Sequence, residues 1–439
     1  MNLMEQKFIC SNLSAGPDGH LYFAGQDTVS LAEEYGTPLY LMDEDLIRRK
    51  CRLFRLCLEK YFEGRGSILY ASKAASFKRI YEIMREEDMS VDVVSPGEIY
   101  TAMKAGFPLD RAWFHSNNKS DEDIAFAMDH GTGYFVAESF EELKAIDSAA
   151  AERGIRQKVL LRITPGIDTH TFEAVDTGKV DSKFGYAIET GQAEEFLRLA
   201  LSLENIDLQG FHCHVGSQLF DSDVFIRSAG IMLGFMAHVK DLFGYEAQHL
   251  NLGGGFGVSY VMSDPEPDIE QIMKETAEEI RSLCKKHGLK MPYIGFEPGR
   301  SIVADAGLTL YTVGMVKKIP GFINYVSVDG GMTDNPRFAL YGAEYTVLPA
   351  DRMEEPRDMV CSVVGRCCES GDVIQPGVPM PGTMQRGDLV AVCTTGAYNY
   401  SMASNYNRVP RPPIVMLSGG KSYIAVRRES LDDMLMLDE

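Results

Sequence analysis

The sequence predicts a mixed chain: an α/β part built as a (β/α)8 TIM barrel, followed by an all-β C-terminal domain, a β-sandwich or small β-barrel. Three observations predict it. Between about residues 45 and 305, short apolar runs alternate with stretches of helical apolar spacing, the order of parallel βα units. About eight such units fit into some 250 residues, the count and size of a closed barrel, with an open doubly wound sheet as the alternative. After Ala306 the texture changes to apolar–polar alternation broken by Pro and Gly, which reads as antiparallel β structure.

In chain order the barrel strands are expected at SILYA (67–71), SVDVV (90–94), AWFH (112–115), GYFVA (133–137), KVLLRI (158–163), LQGFHCH (208–214), QHLNL (248–252) and YIGFE (293–297). Each is short and bounded by polar, Gly or Pro residues, so a buried strand fits better than a helix. Helices fall between them, as over 77–89 and 138–153. The charge run Arg85-Glu86-Glu87-Asp88 reads as a solvated helix face. The β region is expected to carry strands at 308–317, 323–329, 358–365, 388–393 and 422–429, with VIQPGVPMPG as connection. The stretch through Tyr40 is expected to add a strand to it. The boundaries read 1–44 for an N-terminal segment joining the β domain, 45–305 for the barrel and 306–439 for the β domain.

Composition narrows the function. The 439 residues carry 43 Lys+Arg against 63 Asp+Glu, a net charge of −20, which disfavours nucleic acid and anionic membrane surfaces as partners. The start MNLMEQKFIC holds no apolar run of signal-peptide length, and no stretch approaches a membrane span. Nine scattered cysteines without a CxxC pair read as reduced thiols, and the chain is expected in the cytoplasm with no structural zinc.

Barrel chemistry collects at the carboxyl ends of strands, so candidate residues are expected there. They deliver Ser72-Lys73, then Asp92 and Ser95, then His115 with Asn117 and Asn118, then His214 and Ser217, then Gly253-Gly254-Gly255, then Glu297-Pro298-Gly299-Arg300. The three glycines can close backbone N–H groups around an anion, and a following helix would add its positive end. Arg300 supplies a fixed cation in the next loop. A lysine at a strand end, in a confined mouth and stripped of water, becomes a neutral amine able to form a Schiff base. A phosphate nest beside such a lysine points to pyridoxal 5'-phosphate as cofactor. Glu297 would then keep the pyridine nitrogen protonated. His212 and His214 form an HxH; a metal pair is disfavoured for want of a third ligand, and an imidazole stacked on the cofactor ring is the better reading. In the β region Arg337 and Tyr341 (NPRFALYG), Cys368, Glu369 and Tyr398 are further candidates, and two arginines suit a carboxylate substrate.

These motifs resemble those of the diaminopimelate decarboxylases, in the pyridoxal-dependent group that includes ornithine and arginine decarboxylases. The resemblance covers nearly the whole chain: YASKA, DVVSPGE, FHSNNKS, RITPGIDTHT with DSKFGY, HCHVGSQ, NLGGGFG, EPGRSIVADAG, NPRFALY, CCESGD and GAYNYSMASNYN. Pro96 departs from it, standing where a small residue is expected. The resemblance implies decarboxylation of meso-2,6-diaminopimelate to L-lysine and CO2, the last step of lysine biosynthesis. It implies Lys73 as the Schiff-base residue, His214 on the ring and Glu297 at the pyridine nitrogen. Asp92, Ser217, Gly253, Gly254, Gly255, Arg300 and Tyr398 join the cofactor-binding set. Arg300, Arg337, Tyr341, Glu369 and Tyr398 are placed around the substrate, and Cys368 is the proton donor. Cys368 and Glu369 reaching the pocket from a partner subunit implies a homodimer. Three alternatives stay open: a decarboxylase of ornithine, arginine or carboxynorspermidine, an amino-acid racemase, and a silent binding protein. Glu297 weighs against a racemase, and intact Lys73, Cys368 and Glu369 weigh against the silent protein.

Overall fold

A computed structural model describes residues 7–167 and 181–439. The first six residues, and 168–180 with Asp168, Thr169, His170 and Thr171 of the RITPGIDTHT motif, lie outside the described residues. The chain divides into two compact units. One holds Lys50–Gly257 and Glu266–Gly299; the other holds the described residues up to Arg49, then Val258–Pro265 and Arg300–Glu439.

The first unit is the barrel. Its strands are β1 (Gly66–Ala71), β2 (Ser90–Val93), β3 (Ala112–Phe114), β4 (Tyr134–Ala137), β5 (Gln157–Thr164), β6 (Ile206–His212), β7 (His249–Asn251) and β8 (Tyr293–Phe296). Each pairs in parallel with the next, and β8 closes on β1 through Ile294 opposite Gly66 and Phe296 opposite Ile68. An open sheet is thereby excluded. Both faces of these strands are covered, which is why they read as continuous apolar runs. Leu69, Trp113, Val136 and Leu160 pack together in the interior.

Serines end three successive βα loops. Ser95, Ser120 and Ser139 accept the backbone N–H three residues on, starting Pro96–Lys104, Asp121–Asp129 and Phe140–Glu152. Pro96 occupies the first helical position behind its cap, where a missing N–H costs nothing. The departure from the family pattern is therefore a helix start. The charge run is corrected at one residue. Glu87 is buried, because the helix Lys78–Glu86 stops before it and its carboxylate turns inward to Arg52 at 2.6 and 2.7 Å.

In the second unit, the strand Leu39–Asp43 is the expected N-terminal addition. It pairs antiparallel with Gly307–Lys318 and parallel with Ile414–Ser418. Leu39, Leu41, Leu308, Leu310, Ala391, Val415 and Leu417 form the core there. The connection VIQPGVPMPG is corrected: Val373–Met380 is a strand, antiparallel to Met359–Val364. It lies at the end of the strand order, where prolines need not donate to a further neighbour. Ile414–Ser418 was also missed. No helix among the described residues is long and apolar enough to cross a membrane.

Candidate active site

The barrel unit gathers titratable side chains at the carboxyl ends of its strands. Lys73 lies in the single turn Ser72–Ala74 that follows β1. Its side chain is exposed, so the expectation that the chain itself strips water from this amine is corrected. Its neighbours Ala71, Ala74 and Ala75 are too small to cover it. Its positive charge acts on Asp92, Glu98 and His214. Asp92, on β2, is buried, and its Oδ1 has no hydrogen-bond partner. Burial raises its pKa, against the pull of His115.

Glu297 follows β8 directly and is the hub of this cluster. Its Oε1 accepts from Asn251 Nδ2 at 2.7 Å and lies 3.0 Å from His115 Nε2; its Oε2 lies 3.2 Å from His212 Nε2. Burial works to raise the Glu297 pKa, but the two imidazoles outweigh it and hold it well below the usual carboxylate range. His212 itself is pushed down to about 4, chiefly by burial, and is neutral at pH 7. Burial likewise depresses His214, which is half-buried just beyond β6. A third group of metal-ligating type does stand nearby, contrary to expectation: His115 and Glu297 lie beside His212, with ligand atoms within 4.8 Å of one another. The group is organised as donors around one carboxylate, and Asn251 shares it.

The glycine turn after β7 is built on close approach. Gly253 has φ 71°, and a Cβ there would meet Cys213 O at 2.6 Å and His214 Nδ1 at 2.9 Å. At Gly254 it would meet Glu297 O at 2.2 Å; at Gly255, with φ 109°, it would meet Gly216 O at 2.5 Å. The loop carrying His214 and Ser217 is laced to this turn, Leu219 N–H donating to Gly255 O and Gly257 N–H to Leu219 O. The expected helix directly behind the glycines is absent; the next one, Ile269–His287, starts at Asp268. The intervening chain includes Val258–Pro265, which belongs to the other unit. A cavity of about 730 Å³ lies at the opposite, amino-terminal end of the strands, lined by Gly66, Ser90, Trp113, Tyr134 and Tyr293. Barrel enzymes do not carry out chemistry at that end, and the lining arginine Arg52 is already paired with Glu87.

The second unit holds its own cluster. Arg300 opens the short helix Arg300–Val303, and Arg337 opens Arg337–Tyr341; both are buried. Arg300 donates to Tyr260 Oη at 2.9 Å and Arg337 to Tyr345 Oη at 2.7 Å. Both guanidiniums lie over the rings of Tyr260 and Tyr398, 4.9–5.7 Å from the centroids. No carboxylate among the described residues is within ion-pair reach of Arg337. Burial would raise the Tyr260 pKa, yet the two arginines lower it. Tyr398 is half-buried with φ 69°. Tyr341 ends its helix largely exposed and does not share the ring contacts of Tyr260, Tyr345 and Tyr398. Tyr260 and Tyr345 were not anticipated, because neither sits in a local pattern. Asn251 had a signal, a polar residue closing an apolar strand just before the glycines.

Cys368 and Glu369 occupy an exposed turn before Val373–Met380. Buried Asp372 holds that turn, accepting from Met332 N–H at 2.6 Å and Cys367 N–H at 2.7 Å, while Asn407 accepts from Cys368 N–H at 3.0 Å. Of the nine cysteines, all free, Cys368 is the exposed one.

A closed barrel with lysine, carboxylate hub and glycine turn at one end defines a class, the pyridoxal-dependent decarboxylases. A family model described as "Pyridoxal-dependent decarboxylase, pyridoxal binding domain" matches residues 44–304. Among similar proteins, a diaminopimelate decarboxylase of Bacillus methanolicus is 44% identical over 94% of this chain and 95% of its own length. That of Bacillus subtilis (strain 168) is 43% identical over 96% of this chain and 95% of its own. The crystal structure of diaminopimelate decarboxylase from M. jannaschii in complex with L-lysine superposes with a TM-score of 0.90 at 32% identity, covering 99% of both chains. The chain belongs to the diaminopimelate decarboxylase family. The cofactor of this class is pyridoxal 5'-phosphate, and the residues fit it. The turn 253–255 can be formed only by residues without side chains, which leaves its backbone as the surface offered to a ligand; Glu297 is an ionised carboxylate at the strand ends, and Lys73 offers an accessible amine.

Proposed function

We propose that this protein decarboxylates meso-2,6-diaminopimelate to L-lysine and CO2, closing lysine biosynthesis. The observation that carries the substrate choice is the buried pair Arg300 and Arg337, held by phenols in a chain of net charge −20. Two desolvated guanidiniums in such a chain are built for anionic groups. The near-full-length relatives of that name support the same reading.

Bound pyridoxal phosphate supplies an electron sink for the pair released as CO2 leaves. Lys73 would hold its aldehyde. The glycine turn 253–255 and Ser217 would hold its phosphate, with Arg300 and Tyr398 completing the surroundings. Asp92 would set the charge beside Lys73. Glu297 would keep a proton at the ring nitrogen, and His214 would lie against the ring. Arg300, Arg337 and Tyr341 take the distal carboxylate of the substrate, and Glu369 takes its ammonium. The Cys368 thiol gives one proton to the carbon that lost CO2, which balances the reaction. The exposed turn bearing Cys368 and Glu369 suits delivery into a second copy, so the working form is a homodimer, acting in the cytoplasm.

Steady-state release of CO2 and lysine from meso-diaminopimelate tests this. A substrate without the distal carboxylate leaves buried arginine unmatched, so ornithine should react orders of magnitude more slowly. Equal turnover of ornithine would overturn the assignment.

A further inference from the structure

We propose that His115 is a positioning residue for this reaction: seated between Asp92 and Glu297, it fixes the Glu297 carboxylate and holds it ionised. The inference rests on the reading that Glu297 serves the cofactor's ring nitrogen, and it assigns a task to a residue that this reading leaves idle.

The geometry carries it. His115 Nε2 lies 3.0 Å from Glu297 Oε1 and 3.9 Å from Asp92 Oδ1. The first distance is within hydrogen-bond reach, whereas Asp92 Oδ1 receives no hydrogen bond from any described group. The ring stands between two buried carboxylates, a position that favours its protonated form. Its neighbour His212, 4.8 Å away ring to ring, donates to Glu297 from a neutral ring.

The titratable and charged groups facing His115 are Asp92 on β2, Glu297 after β8, neutral His212 on β6 and Arg162 on β5, the last paired with Glu138 at 2.8 Å. Burial lowers the His115 pKa, Asp92 and Glu297 raise it, and the net direction is upward. A second buried carboxylate beside Glu297 would otherwise push its pKa up. The loop is held in place by Lys119, whose Nζ donates to Ser116 O, Val136 O and Glu142 Oε1. A carboxylate has about four acceptor positions. Asn251 and His115 approach Oε1 and His212 approaches Oε2, so the carboxylate keeps an open acceptor position.

The test uses His115→Ala, His115→Gln, Glu297→Gln and the double variant His115→Ala/Glu297→Gln. In the apoprotein, NMR of histidine-labelled chain should find the His115 imidazole still protonated at pH 7.5, and neutral in Glu297→Gln. In the loaded enzyme, His115→Ala should lower kcat about ten- to hundredfold with little change in KM. His115→Gln keeps size and a donor without charge; it should remain impaired, and it serves if the alanine variant does not fold. The double variant should be no worse than Glu297→Gln alone, since His115 acts through that carboxylate. A neutral His115 in the wild-type apoprotein, or losses that multiply in the double variant, would overturn the inference. Full turnover in Glu297→Gln would instead overturn the reading beneath it.

Discussion

Gly254→Ala isolates the contact on which the barrel-mouth geometry depends. A methyl at Gly254 would sit 2.2 Å from Glu297 O and 3.1 Å from the carbonyl carbon. An ordinary contact is about 3.4 Å or more, so the two backbones must part by roughly 1 Å. Neither partner is a flexible side-chain tip. Glu297 N–H donates to Gly253 O at 2.9 Å, so that bond strains as well. Overpacking of this kind costs about 1–3 kcal/mol. The same displacement moves Glu297 against Asn251 and His212, so affinity of the apoprotein for pyridoxal phosphate should fall about tenfold or more, the equivalent of ~1.4 kcal/mol. Gly234→Ala is the internal control. It lies inside the helix Asp223–Phe243, and a Cβ there meets nothing within 4 Å. That change should stabilise by about 0.5–1 kcal/mol. Urea unfolding of the apoprotein and a fluorescence titration with the cofactor read both effects. Gly254→Ala with unchanged stability and unchanged cofactor affinity would refute the reasoning.

Three further outcomes are expected. Asp334 is buried, and burial pushes its pKa up to about 7 from an unfolded value near 4. The folded state therefore binds the proton more tightly, and this group's contribution is fully present below about pH 4 and is lost as pH rises from there through about 7. Asp334→Asn should flatten that fall, on the order of a few kcal/mol, in denaturant melts between pH 4 and 8. Lys119 is buried against Glu142 at 2.8 Å. Lys119→Met should cost about 3–5 kcal/mol by stranding a carboxylate, and adding Glu142→Leu should restore much of it in the same melts. Cys368→Ala should lower kcat about a hundredfold or more while leaving cofactor affinity of the apoprotein unchanged, because the thiol is proposed to donate a proton and not to hold the cofactor.

Much of this molecule is written locally. Each barrel strand is a short apolar run cut off by polar residues, and its end is visible because burial stops there. Lys73, Asp92, Glu297 and the three glycines could be picked out at those ends before any coordinates. Where local texture misled, a neighbour in space decided. Glu87 looked solvated but meets Arg52 from a helix 35 residues earlier. VIQPGVPMPG looked like a connection but is an edge strand, where proline is tolerated. Lys73 was expected to be dehydrated, but strand position alone does not set how much surrounds an amine.

The sequence by itself determined the alternation of strands and helices, and with it the barrel, because burial of one face or two imposes a period that any reader can count. It also determined which chemistry stands at the strand ends. Tertiary structure alone decided who shares a proton or a charge with whom. Tyr260 and Arg300 are 40 residues apart, and His115, His212 and Glu297 are spread over more than 180. Electrostatic coupling depends on distance through space and on burial, and neither is encoded in the spacing along the chain.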